Sequence, residues 1–188
     1  KIHMAEYAIA AMINLARNFH SMFRNQVQKK WERAIPQQEI YGATVGILGL
    51  GAIGQEIARK AGVMGMRVIG VRRSPAPMAF VEEVYGPENM PDLFRQSDYI
   101  INLLPVTAET GQIIDRKLFA LMKPTACFIN IGRGATVNEP DLIAALQRKQ
   151  IRAMVSDVYA VEPLPADSPL WELENVILTP HVCGASPQ

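Results

Sequence analysis

The stretch that decides the fold is Val45-Gly46-Ile47-Leu48-Gly49-Leu50-Gly51-Ala52-Ile53-Gly54. Its first part belongs to an apolar run over 44–48, which predicts a strand, and a helical pattern follows from about Ile53 to Met64. The six residues from Gly49 form a GxGxxG pattern between these two elements. In that context the pattern is typical of a turn that binds the phosphates of a dinucleotide, whereas a plain strand-to-helix turn is the alternative.

Each glycine of this turn answers a separate physical need. Gly49 permits the tight turn, Gly51 lets the backbone approach a pyrophosphate, and Gly54 lets the helix and the strand pack closely. The free N–H groups at the start of the helix, at Ala52 and Ile53, and the positive end of the helix dipole would then hold the phosphates.

Strands and helices alternate along the rest of the chain. Further strands are predicted over 67–71, 81–85, 99–103, 126–129, 153–156 and 176–178. Helices are predicted over 92–96, 117–122 and 139–148. This alternation indicates βαβ units, so we expect an α/β fold of Rossmann type: a doubly wound, mostly parallel sheet with helices on both faces.

The chain begins with a helical pattern that is apolar on almost every face. Ala5, Ile9, Met12, Ile13 and Ala16 recur at helical spacing, and the positions between them are largely apolar as well. We expect one long helix over about 4–19, buried in a large body or in a subunit interface. The segment 24–39 is polar and irregular, which is typical of a connector. The prediction is therefore a leading helix and connector over 1–40 and a dinucleotide-binding core over 41–188.

Length and composition place the chain among globular proteins of one domain. Its 188 residues carry a net charge near +1, which offers no general attraction to nucleic acid or to an acidic membrane. No apolar run reaches the roughly 18–20 residues that cross a bilayer, and the first residues lack the features of a signal peptide. Cys127 and Cys183 form no CxxC pair and no metal-type cluster. We expect a cytoplasmic protein with no bound metal and no nucleic-acid or membrane partner.

The end of the second predicted strand is basic. Sites that prefer NAD place an acid about 20 residues beyond the phosphate loop, on the adenosine ribose. Here Arg72-Arg73-Ser74 occupies that position. Two guanidinium groups and a hydroxyl suit the additional phosphate of NADP, although solvated loop arginines are the alternative. The sequence therefore predicts NADP as the preferred cofactor, with NAD possible.

Three later segments complete the pattern: Asn130-Ile131-Gly132-Arg133-Gly134, Ser156-Asp157-Val158-Tyr159-Ala160-Val161-Glu162-Pro163 and Leu178-Thr179-Pro180-His181. With these the chain strongly resembles the D-isomer-specific 2-hydroxyacid dehydrogenases, a family that includes glyoxylate/hydroxypyruvate reductases and phosphoglycerate dehydrogenases. The resemblance extends over essentially all 188 residues and rests on the order, spacing and composition of several motifs together.

The resemblance implies a catalytic set of three residues. Arg133 would bind the carboxylate and keto oxygen of the substrate, Glu162 would pair with His181, and His181 would be the acid/base. The chemistry is sound, since reduction of a 2-oxo acid requires a hydride and a proton. A histidine titrates near neutral pH and a neighbouring carboxylate favours its protonated form, while a guanidinium suits negative oxygens. Taken singly, these residues could be a turn charge, a loop acid and a structural histidine.

The resemblance also assigns cofactor contacts. Asp157 corresponds to the position that hydrogen-bonds the nicotinamide carboxamide. The other contacts by resemblance are Leu104, Pro105, Thr110, Ile131, Gly132 and Arg133. No role is assigned to His3, His20 or Cys183.

The family resemblance further implies partners and alternatives. It implies a small 2-oxo or 2-hydroxy acid as substrate and a homodimer formed through the cofactor domain, which we expect to use the leading helix. It implies a second, substrate-side domain, which we expect to be absent from these 188 residues, so that the chain alone would turn over poorly. A formate-dehydrogenase-like enzyme is disfavoured because that branch has Gln where Glu162 stands. A non-enzymatic dinucleotide sensor or corepressor is the alternative from another class.

Overall fold

Seven parallel strands form a single sheet. The computed structural model describes residues 1–185, so the last three residues of the predicted core lie outside it. The strands are β1 (Thr44–Leu48), β2 (Arg67–Val71), β3 (Glu83–Tyr85), β4 (Tyr99–Asn102), β5 (Cys127–Asn130), β6 (Ala153–Ser156) and β7 (Val176–Leu178). Their order is β3-β2-β1-β4-β5-β6-β7 and every pair is parallel. The first six strands follow the Rossmann order, which confirms the predicted fold class.

Helices cover both faces of the sheet. They are α1 (Ile2–Ala16), α2 (Phe19–Val27), α3 (Ala52–Val63), α4 (Met90–Gln96), α5 (Arg116–Phe119) and α6 (Glu139–Gln147), with short 3₁₀ turns at Pro87–Asn89, Gly134–Thr136 and Pro169–Glu172. One core is formed by α1 and α3 against the sheet, and the other by α4, α5 and α6. Because both faces are covered, β1, β4, β5 and β6 are buried along their whole length and read as continuous apolar runs.

Local sequence signals fix several helix ends. Asp115 accepts hydrogen bonds from the N–H groups of Lys117 and Leu118, and Asn138 accepts one from the N–H of Asp141. These are N-cap interactions, which satisfy donors that a helix start otherwise leaves free. The helix predicted over 117–122 is shorter, Arg116–Phe119, because the N–H groups of Leu121 and Met122 bond three residues back and tighten the turn.

The prediction of a single helix over 4–19 is wrong in its extent. Helix α1 ends at Ala16, and Asn18 takes the left-handed conformation with φ 51°, after which α2 begins. Asn tolerates this conformation better than most residues, and its side-chain amide donates to the carbonyl of Pro36 at 2.6 Å. The predicted connector is corrected as well, because its first residues, 24–27, belong to α2.

Much of the apolar surface of α1 is covered by the domain itself. Its buried residues pack with α3 in the same core, and four of the six are alanines, which allow a close approach. These residues are Ala5, Ala8, Ala11, Met12, Leu15 and Ala16. Contacts within one chain thus explain much of the pattern that indicated burial, and the use of this helix in a subunit interface stays a prediction.

Candidate active site

The predicted site residues all lie at one edge of the sheet. Each follows the carboxyl end of a strand: the phosphate loop follows β1, the arginines follow β2, and the later segments follow β4, β5, β6 and β7. Since all strands are parallel, these ends face the same side. Open parallel sheets bind ligands at this edge, in the crevice where the strand order reverses, which here lies between β1 and β4.

The phosphate loop has the geometry that its glycines predict. Gly49 has φ +105°, a conformation that favours glycine, and its N–H donates to the carbonyl of Val71 at 3.0 Å. A Cβ on Gly54 would lie 2.2 Å from the Gly49 carbonyl oxygen, whereas a Cβ on Gly51 would meet no protein atom within 4 Å. The chain thus leaves open space beside Gly51 at the start of α3, which fits a pyrophosphate group.

The basic segment after β2 is only partly buried. Arg72 is held by its backbone N–H, which donates to the Tyr85 carbonyl at 3.0 Å, and its guanidinium contacts the Met78 sulfur at 3.5 Å. Arg73 and Ser74 are exposed. Their side chains are therefore available to an anionic group at this end of the sheet.

The segment after β4 is held by its own hydroxyl groups. The Thr110 hydroxyl donates to the Pro105 carbonyl at 2.6 Å and accepts from the Thr107 N–H at 2.8 Å. The N–H of Leu104 donates to the side chain of Asn102 at 3.1 Å. These contacts fix the shape of the turn, while its contact with a cofactor stays a prediction.

Asn102 is a structural residue of the site that sequence reasoning missed. It is fully buried, and its amide donates to Asn130 at 2.9 Å and to the Thr136 hydroxyl at 2.8 Å. The Thr136 hydroxyl in turn donates to the Arg133 carbonyl at 2.7 Å. The network therefore connects the turn after β4 to the turn that carries Arg133. A polar residue at the end of an apolar strand is the signal that could have identified it.

Arg133 lies exposed between two glycines that have no room for a side chain. A Cβ on Gly132 would lie 3.0 Å from the backbone of Leu103 and Leu104, and one on Gly134 would lie 1.9 Å from the carbonyl oxygen of Tyr159. Gly134 thus brings the Arg133 turn against the segment after β6, a contact that the sequence analysis did not predict. Ile131 is buried in the core beneath.

His181 and Glu162 form the predicted pair. The Nδ1 atom of His181 lies 2.6 Å from Glu162 Oε2, and Glu162 Oε1 accepts from the N–H of Tyr159 at 3.0 Å. Burial raises the pKa of Glu162, but these hydrogen bonds outweigh it and hold the pKa below its ordinary value. The side chains are 48% and 34% exposed, and ion pairs this exposed stabilise a fold little. The catalytic role of the pair stays a prediction.

Asp157 is fully buried and holds the segment that contains His181. Its Oδ1 accepts from the Thr179 hydroxyl at 2.5 Å and from the Val182 N–H at 2.9 Å, and its Oδ2 accepts from the Cys183 N–H at 2.8 Å. Contact with a nicotinamide carboxamide stays a prediction. Burial and the Asp157 carboxylate raise the pKa of the Cys183 thiol to about 12, so this thiol is unreactive at neutral pH.

Neither a metal-type cluster nor a membrane-spanning helix occurs within residues 1–185. No group of three or more His, Cys, Asp or Glu side chains in this part of the chain is arranged to hold a metal ion. No described helix combines the length and the apolar character that a membrane crossing requires.

A Rossmann sheet with an open phosphate loop and a hydrogen-bonded Glu–His pair at its carboxyl edge is typical of the dinucleotide-binding domain of an oxidoreductase. The model of the D-isomer specific 2-hydroxyacid dehydrogenase NAD binding domain matches residues 9–183. The chain belongs to this family.

The names of similar proteins and solved structures agree with this family assignment. Glyoxylate/hydroxypyruvate reductase A of Yersinia enterocolitica is 35% identical over 98% of this chain, which covers 59% of that protein. The crystal structure of phosphoglycerate dehydrogenase from Lactobacillus plantarum superposes with a TM-score of 0.94 at 34% identity, over 100% of this chain and 62% of that one. An NADPH-dependent glyoxylate/hydroxypyruvate reductase of Sinorhizobium meliloti, in complex with NADP and sulfate, gives 0.89 at 33% identity, over 98% and 59%. The chain thus spans about three fifths of these proteins.

Proposed function

We propose that this chain is the cofactor domain of an NADPH-preferring reductase of small 2-oxo acids, such as glyoxylate or hydroxypyruvate. The observation that carries the proposal is the 2.6 Å contact between His181 and Glu162, at the same edge of the sheet as the phosphate loop and Arg133. The relatives named for this reaction support it. Because the chain spans three fifths of those relatives, the activity is proposed for the full-length protein, and its NADPH-dependent reduction of 2-oxo acids is the test.

The pair is suited to deliver a proton. Glu162 has a lowered pKa and is therefore ionised at neutral pH, so it stabilises a positive charge on the adjacent ring. Its contact engages Nδ1 of His181, which leaves Nε2 for the substrate. A nicotinamide cofactor held at this site would supply the hydride for reduction. His181 then provides the proton that the resulting alkoxide requires.

Arg133 is suited to anchor the substrate. Its guanidinium is exposed at the site edge, and its backbone is fixed by Thr136 and by the close contact at Gly134. A planar cation with several donors pairs well with a carboxylate and with the keto oxygen that becomes negative during reduction. Arg133 therefore serves both substrate binding and the transition state.

The preference for NADPH rests on Arg72 and Arg73. The 2′-phosphate that distinguishes NADPH is an anion, and both guanidinium groups lie at the end of β2, where a 2′-phosphate is bound in this fold. Replacing both by Ala should reduce the affinity for NADPH to that for NADH. The loss of binding free energy for NADPH is at most about 1.5–3 kcal/mol for each contact, and less where the side chain is exposed. Fluorescence titration of both cofactors measures it.

An exposed arginine elsewhere provides the control for this experiment. Arg148, just beyond α6, is removed in the same way, and its loss should leave both affinities unchanged. Equal affinities of the unmutated protein for NADPH and NADH would contradict the proposed preference.

We also propose a homodimer formed through this domain. Because much of the apolar surface of α1 is covered by the domain, the support comes from the segment that follows this helix. There Phe23, Val27 and Trp31 are 58%, 85% and 91% exposed. Large apolar side chains exposed together mark interaction surfaces. Analytical sedimentation should show a dimer that Trp31→Ala weakens, and a stable monomer at micromolar concentration would contradict the proposal.

We also propose a cytoplasmic location. Both cysteines, Cys127 and Cys183, are free thiols in buried positions. Reduced thiols are typical of the cytoplasm, where disulfides are rare. Localisation by fractionation would test this.

A further inference from the structure

A chain of hydrogen bonds connects the first helix to the segment that contains His181. The Tyr7 hydroxyl on α1 lies 2.6 Å from the Thr179 hydroxyl, and the Thr179 hydroxyl lies 2.5 Å from Asp157 Oδ1. Tyr7 and Thr179 are 172 residues apart in sequence. Nothing in the proposed reaction uses Tyr7 or Thr179, so these connected hydrogen bonds require a separate explanation.

The direction of these hydrogen bonds is fixed by the two ends. Burial raises the pKa of Tyr7 to about 12, against the opposing effect of Thr179, so the phenol stays protonated. Burial also favours the neutral form of Asp157, but hydrogen bonds from Cys183 and Thr179 outweigh it and lower the pKa of that carboxyl. A carboxylate only accepts, so Thr179 donates to Asp157 and Tyr7 donates to Thr179.

The carboxylate of Asp157 holds the chain on both sides of His181. It accepts from the Thr179 side chain, two residues before the histidine, and from the N–H groups of Val182 and Cys183, just after it. His181 itself has φ +55°, and its N–H donates to the Thr179 carbonyl at 3.1 Å. Few residues other than glycine adopt the left-handed region, although histidine does so more often than most, and the conformation is kept where the surroundings hold it. The bonds to Asp157 supply that enforcement.

We infer that Tyr7 and Thr179 are positioning residues for His181, acting through Asp157 to hold the histidine in its left-handed conformation with Nδ1 on Glu162. The inference rests on the proposed function in so far as His181 is the acid/base. The first helix therefore does more than fill the core. It fixes the orientation of the His181 imidazole, which lies near the opposite end of the sequence.

The orientation of the His181 ring can be read without any activity. The chain contains three histidines, so the ring ¹⁵N resonances, observed through the carbon-bound ring protons, are few and assignable by His181→Ala. In the unmutated protein the neutral ring should carry its proton on Nδ1, because Glu162 accepts there. Tyr7→Phe and Thr179→Val should shift the ring towards a mixture of the two tautomers. Thr179→Ser keeps the hydroxyl and should restore the unmutated pattern.

Turnover of the full-length protein provides the second readout. Tyr7→Phe should lower kcat by about two- to tenfold, the effect of one hydrogen bond, and Thr179→Val by about ten- to a hundredfold through a displaced ring. KM for the 2-oxo acid should change little. Since Thr179→Val already removes the acceptor of Tyr7, adding Tyr7→Phe to it should cost nothing more.

Tyr99→Phe is the matched control, because Tyr99 is a buried tyrosine at the amino end of β4, away from the site. It should lower the melting temperature without moving the His181 signals. If Tyr7→Phe and Thr179→Val likewise changed only stability, the inference would be overturned. Full turnover in His181→Ala would instead overturn the proposed acid/base role, while the ring ¹⁵N shifts would still decide whether Tyr7 and Thr179 hold the ring.

Discussion

Replacing His181 by Ala is expected to lower the turnover of 2-oxo acid reduction by about 10²–10⁴, the usual contribution of a positioned acid or base. The affinity for NADPH should change little, because the histidine acts on the substrate. Steady-state kinetics of the full-length protein measure the first quantity and fluorescence titration measures the second. His3→Ala is the matched control, since His3 lies on α1 and has no proposed role. Normal turnover in His181→Ala would remove the basis of the proposed mechanism.

Glu162→Gln tests the same pair by its pH dependence. The substitution removes the negative charge that lies 2.6 Å from the ring, while it keeps the size and shape of the side chain. Without that charge a positive ring beside residue 162 is less favoured over a neutral ring. The upper pH limit for reduction should therefore move to lower values. An unshifted pH profile would mean that Glu162 is not the charge partner.

The second large effect concerns two glycines of the phosphate loop, which should respond in opposite ways to the same added methyl group. Gly51→Ala should leave stability unchanged, because the Cβ meets open space and φ is −76°. It should nevertheless weaken NADPH binding by about ten- to a hundredfold, since it occupies the space where a phosphate accepts charge-assisted hydrogen bonds. Gly54→Ala should instead destabilise the fold by about 1–3 kcal/mol or more, because its Cβ would lie 2.2 Å from a backbone oxygen.

Thermal unfolding and cofactor titration of both variants separate the two effects. Each glycine serves as the control for the other, since the chemical change is identical. If Gly51→Ala retained full affinity for NADPH, the open space beside it would not be the phosphate site.

The sequence predicted the fold because each strand is bounded by its own signals. A parallel strand covered on both faces is a continuous apolar run. Six of the seven strands are followed by residues of the predicted cofactor site or catalytic set, such as Gly49, Arg72 or His181. The order of these ends along the chain, together with parallel pairing, is enough to bring them to one edge. The pairing of Glu162 with His181 followed from the family resemblance, and the structure shows the contact itself.

The contacts that hold the site could not be predicted in the same way. Tyr7 reads as one more apolar position of α1, and only the folded chain shows that its hydroxyl reaches Thr179. Asn102 joins two turns that are remote in sequence, so its partners depend on strand order. The end of α1 was misplaced because the apolar pattern continues past Asn18, where a left-handed residue breaks the helix. Periodicity describes which face is buried, but it does not describe what covers that face.

The most direct test of the proposed function is the oxidation of NADPH by the full-length protein with a panel of 2-oxo acids. The loss of nicotinamide absorbance measures this oxidation. The panel contains glyoxylate and hydroxypyruvate, with a simple ketone that lacks the carboxylate as the control for recognition by Arg133. We predict saturable turnover with at least one 2-oxo acid, none with the ketone, and a loss of about 10²–10⁴ in His181→Ala. Tight binding of NADPH without turnover of any 2-oxo acid would contradict the account and would favour a dinucleotide sensor.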